Sequence, residues 1–93
     1  MLNVVPKRQE ILLVDDEEDT LLELQEMLED AGFICHLALS VQTAMNQLKT
    51  FPKIALIITD LRMPEESGLR LLQRLRGCGE NKDIPVIVSS GKE

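Results

Sequence analysis

Apolar residues along this chain fall into two alternating kinds of run. Ile11-Leu12-Leu13-Val14 and Ile54-Ala55-Leu56-Ile57-Ile58-Thr59 are short and almost unbroken. Between them lie longer stretches whose apolar positions recur at helical spacing. Short unbroken runs predict strands buried on both faces, and the spaced stretches predict amphipathic helices. The first strand is predicted over Glu10 to Val14, followed by a helix over Glu18 to Ala31 with Leu21, Leu24 and Leu28 on its apolar stripe. Gly32 supplies the stop that a helix C-terminus favours. Phe33 to Leu39 is the second predicted strand, and Ser40 is placed to cap a second helix carrying Val41, Ala44, Met45 and Leu48 on one face. After the turn at Pro52, the third strand runs Ile54 to Thr59. A loop over Met63 to Gly68 leads into a helix from Gly68 to Arg76 with Leu71, Leu72 and Leu75 inward, and Val86 to Val88 is the fourth strand.

Alternating strands and helices imply βαβ units and a mostly parallel sheet. In such sheets ligands bind beyond the carboxyl ends of the strands, where the strand order reverses. Asp15 and Asp16 follow the first strand, Asp60 follows the third, and Ser90 follows the fourth. If the first and third strands are neighbours, Asp15, Asp16 and Asp60 meet at one edge. Carboxylates at close range repel one another and require a proton or a cation. Mg²⁺, a hard cation that prefers oxygen ligands, suits such a cluster.

The chain has 93 residues, is 44% apolar and holds only Phe33 and Phe51 as aromatics, so it builds one small aliphatic core. A net charge of -6 argues against direct nucleic-acid binding and against an anionic membrane surface. No apolar run approaches the roughly 18 residues of a membrane span, and nothing after Lys7 and Arg8 resembles a signal peptide. The expected location is the cytoplasm. Cys35 and Cys78 fit no metal-binding spacing and are expected to be reduced thiols.

Each candidate also has a bland explanation. Acids before a helix favour its dipole and cap its free N–H groups, which suffices for Glu17, Glu18 and Asp19. For Asp15 and Asp16 taken alone, capping and metal binding are about equally good accounts. Asp60 alone could be a turn residue, and Ser90 alone is weak because serines commonly end strands. His36, the single histidine, falls within the second strand and is expected to be structural. Arg70, Arg74 and Arg76 are expected to form a solvated helix face.

Three strings together turn these candidates into a resemblance. Val14-Asp15-Asp16-Glu17, Asp60-Leu61-Arg62-Met63-Pro64-Glu65-Glu66-Ser67-Gly68 and Pro85-Val86-Ile87-Val88-Ser89-Ser90-Gly91 resemble, in sequence and spacing, the receiver domain of bacterial two-component response regulators. The resemblance implies a flavodoxin-like, doubly wound α/β fold with family strand order 2-1-3-4-5. It implies that Asp60 accepts a phosphoryl group from a histidine kinase or histidine phosphotransfer protein. It further implies that Asp16 binds Mg²⁺ directly, that Asp15 does so through water or serves as a second acidic partner, and that the Arg62 backbone carbonyl is another ligand. Ser90 would be the switch hydroxyl, and Gly91 would leave room for the phosphoryl group. Such a domain catalyses only its own phosphoryl transfer and dephosphorylation and turns over no external metabolite.

The family fold continues past the fourth strand with a helix, a fifth strand and a fifth helix. The expectation is therefore an N-terminal extension over 1–9 and a receiver domain over 10–93, truncated after strand four and without the lysine that ends the family's fifth strand. Lys92 is not that lysine. Strand four is then expected to be an open edge, with one sheet face covered only by the first helix, unless a homodimer covers it. The missing lysine supports one rival function, a receiver-like interaction module that is not phosphorylated. A phosphohydrolase is disfavoured because Arg62 stands where such enzymes carry a second aspartate. Dinucleotide binding is disfavoured because the loop after strand one is acidic and lacks glycines.

Overall fold

The computed structural model describes residues 8–60, 68–77 and 83–89. Seven elements alternate: β1 (Glu10–Val14), α1 (Glu18–Asp30), β2 (Ile34–Ala38), α2 (Val41–Thr50), β3 (Ile54–Asp60), α3 (Gly68–Arg76) and β4 (Val86–Ser89). The four strands form one sheet in the order β2-β1-β3-β4, with every pair parallel. β1 is central and buried on both faces, which is why its sequence is a run and not an alternation. Leu12 and Val14 join Ala38, Ile57, Val41, Ala44, Leu48, Leu71 and Leu75 in a core shared with α2 and α3. Ile11 and Leu13 point the other way, onto Leu21 of α1 and the half-buried Leu24, Leu28, Leu37, Leu56 and Ile58.

The two faces are unequally covered among the described residues. Ile87 of the edge strand β4 remains 53% exposed, and Leu56 and Ile58 beside it are only partly buried. Among the described residues β4 is an edge strand of the sheet. No helix among the described residues is long and apolar enough to cross a membrane.

The helix ends follow local chemistry. Gly32 has φ +101°, a left-handed conformation that favours glycine. There its N–H reaches the Glu29 carbonyl, and the Phe33 N–H reaches the Leu28 carbonyl, both at 3.0 Å. This is a Schellman cap, and Phe33 and Leu28 both pack against the apolar cluster beneath it. The cap occupies the Phe33 N–H, so β2 begins one residue later than the sequence pattern suggests. Ser40 caps α2 as expected, its hydroxyl accepting the Thr43 N–H at 3.1 Å. Glu17 stands at the N-cap of α1, but its side chain caps no backbone N–H. Its carboxylate accepts the Thr20 hydroxyl at 3.2 Å instead.

His36 is structural, as expected. Its Nε2 lies 2.9 Å from Glu10 Oε1, and its ring stacks on Phe51 with centroids 4.2 Å apart. It ties the start of β1 to the corner between α2 and β3.

Candidate functional site

The register of β1 against β3 decides where the carboxylates fall. Val14 pairs with Thr59, so Asp15 and Asp60 emerge side by side at the carboxyl edge of the sheet. The Asp15 N–H still donates to the Ala38 carbonyl at 3.1 Å, which holds it against β2 as well. Asp60 is itself the last residue of β3, one residue beyond the predicted strand end, because it pairs in register with Ser89 of β4.

Asp15, Asp16 and Asp60 do converge. One carboxylate oxygen from each lies within 4.8 Å of the other two. Asp15 and Asp60 are 7% and 8% exposed, whereas Asp16 is open to solvent. Asp15 Oδ1 accepts the Glu17 N–H at 2.9 Å, which fixes the side chain at the turn into α1. Burial pushes the Asp15 carboxyl above its ordinary value, and the charges of Asp60 and Asp16 push the same way, while the Glu17 N–H opposes them.

The donor set is all oxygen, as Mg²⁺ requires. Mg²⁺ holds its ligands at roughly 2.0–2.1 Å, so two oxygens on one ion lie at most about 4.2 Å apart. A spread of up to 4.8 Å is closed by a shift of about half an ångström, or by one carboxylate reaching the ion through water. The residues present therefore fit such an ion. The other three predicted site residues, Arg62, Ser90 and Gly91, lie outside the described residues. Ser89, the last residue of β4, is the register partner of Asp60.

One residue at this edge escapes a reading based on apolar pattern. Thr59 passes as part of the β3 run, yet it is fully buried, and its hydroxyl donates to the Asp60 carbonyl at 3.2 Å. The available signal was a hydroxyl residue in an otherwise aliphatic run, directly before the acidic residue.

Comparison with known proteins points one way. The family described as the response regulator receiver domain matches residues 11–93. The two-component response regulator PprB of Pseudomonas aeruginosa is 32% identical over 84 residues, covering 89% of this chain and 30% of that protein. The response regulator Rre1 of Synechocystis is 37% identical over 78 residues, covering 83% of this chain and 33% of that protein. The chain thus spans about a third of the length of these two curated relatives. The crystal structure of a response regulator receiver protein from Pseudomonas putida superposes with a TM-score of 0.87 at 34% identity, covering 96% of this chain and 73% of that one.

Proposed function

Because the chain belongs to the response regulator receiver family, we propose that it takes a phosphoryl group onto Asp60 in a two-component phosphorelay. The observation that carries this reading is the meeting of Asp15, Asp16 and Asp60 at the carboxyl edge of a parallel sheet. Asp60 is the nucleophile. One of its carboxylate oxygens attacks phosphorus in line, a P–O bond forms, and the bond from phosphorus to the donor breaks. The donor is the phosphohistidine of a kinase or phosphotransfer protein.

Asp16 would hold Mg²⁺, with Asp15, Asp60 and the Arg62 carbonyl as the protein's further partners for the ion. When bound, Mg²⁺ supplies charge neutralisation between the attacking carboxylate and the phosphoryl oxygens. Ser90 donates a hydrogen bond to a phosphoryl oxygen, and Gly91 leaves space beside it. The new charge at an already acidic edge, together with movement of the Ser90 hydroxyl, biases a two-state surface toward its output form. The protein acts in the cytoplasm and catalyses only its own phosphorylation and dephosphorylation.

The test is labelling of the intact protein by acetyl phosphate. We expect Mg²⁺-dependent, acid-stable and base-labile incorporation that disappears in Asp60→Ala. Labelling that persists unchanged in Asp60→Ala refutes the assignment.

A further inference from the structure

Among the described residues, the buried polar or charged side chains are Asp15, Thr59 and Asp60. Two are the carboxylates of the candidate site. The third carries no charge and stands directly before the proposed phosphoacceptor. We infer that Thr59 is a positioning residue, whose hydroxyl holds the peptide that follows Asp60 and so sets the geometry of the cation site. This inference rests on the function proposed above.

Thr59 is flanked in register by Val14 and Val88, and strand alternation places it on the same face as Ile57, within the layer packed by α2 and α3. A valine there would match its shape and bury one more methyl group. A hydroxyl in an apolar layer is unfavourable unless it is hydrogen-bonded. Thr59 meets that need locally, donating to the carbonyl of Asp60 at 3.2 Å.

That carbonyl belongs to the peptide by which the chain leaves the sheet. The orientation of that peptide is linked to the backbone that aims the Asp60 carboxylate. A wholly buried, β-branched side chain has little rotamer freedom, so the hydroxyl holds this peptide from a fixed point. Groups that orient metal ligands from outside the coordination sphere typically change metal affinity about 10–100-fold when removed. Thr59 acts at the lower end of that range, because it holds a backbone group and touches no ligand oxygen.

The experiment compares Mg²⁺ affinity in the intact wild-type protein, Thr59→Val and Thr59→Ser, with a thermal transition measured for each. Thr59→Val keeps the volume and deletes the hydroxyl. Thr59→Ser keeps the hydroxyl. We expect Thr59→Val to weaken Mg²⁺ binding about tenfold with its thermal transition unchanged or raised. We expect Thr59→Ser to stay within about twofold of wild type, on the same outer-shell reasoning. Equal Mg²⁺ affinity in wild type and Thr59→Val overturns the role of Thr59 while leaving the site intact. Loss of affinity in Thr59→Val only alongside a fall in its thermal transition, or an equal loss in Thr59→Ser, also overturns it. A wild-type protein that takes up no Mg²⁺ overturns the site itself, and the role of Thr59 with it.

Discussion

Neutralising Asp60 should stabilise the metal-free protein, although Asp60 is the proposed phosphoacceptor. Asp60→Asn keeps shape and hydrogen-bonding capacity and removes one of three converging charges. At the 4.8 Å that bounds the separations in this cluster, two unit charges repel by about 3.5 kcal/mol at an effective dielectric of about 20. Asp15 is buried beside Asp60 and feels most of this, while Asp16 is exposed and screened. Each charge is spread over two oxygens and can relax, so a net gain of about 1–3 kcal/mol is expected, a fraction of one full pair term. For a domain of this size, each kcal/mol raises the melting temperature by about 4–8 °C. The assay is thermal or urea unfolding at pH 7.5, in EDTA and again in saturating Mg²⁺. A ligand at about a hundred times its Kd stabilises by about 2.7 kcal/mol, so Mg²⁺ should lift wild type far more than the variant and close or invert the gap. An Asp60→Asn protein that is less stable than wild type in EDTA would show that the carboxylates do not strain the fold and would refute the electrostatic account.

Four further outcomes follow from particular residues. Asp15 has its folded-state pKa raised above the ordinary 3.8, so the folded form binds the extra proton. Metal-free stability should therefore fall as pH rises from about 3.8 through the raised value, and Asp15→Asn should flatten that part of a pH-resolved unfolding curve. Ser40→Ala removes the cap on Thr43 N–H and should cost about 1 kcal/mol in urea unfolding. Leu12→Ala, at a fully buried position in the α2–α3 layer, should cost about 2–5 kcal/mol. In the same assay Ile87→Ser, at a half-exposed position, should cost under about 1 kcal/mol.

The parts of this structure legible in the sequence are those governed by local pattern. β1 and β3 read as runs because a central strand has no polar face to show. α2 begins at Ser40 because a hydroxyl there satisfies an orphan N–H. The carboxyl-edge site was legible for the same reason, since charges excluded from a doubly buried strand can appear only at its ends. What stayed hidden depends on contacts distant in sequence. The register of β3 with β4 carries the strand through Asp60, and the Glu10 and Phe51 partners of His36 lie well away from it along the chain. No pattern distinguishes the buried Asp15 from the exposed Asp16, because that difference depends on β2 holding Asp15 through the Ala38 carbonyl.

The burial that makes β1 a good core strand is also what makes the site responsive. Val14 and Thr59 are sealed on the α2–α3 side, so Asp15 and Asp60 leave the sheet with little water around them. Desolvation raises the Asp15 carboxyl first, and the neighbouring charges add to it. A fully solvated cluster would have lost most of that repulsion to screening, and a cation would then change little. Here, a bound cation would link stability and occupancy through the same side chains, because whatever relieves the repulsion also favours the folded edge. The proposed phosphorylation would add charge at that edge and be felt by the backbone around Asp60. The Thr59 hydroxyl, anchored in the core and bonded to the Asp60 carbonyl, joins that backbone to the packed interior.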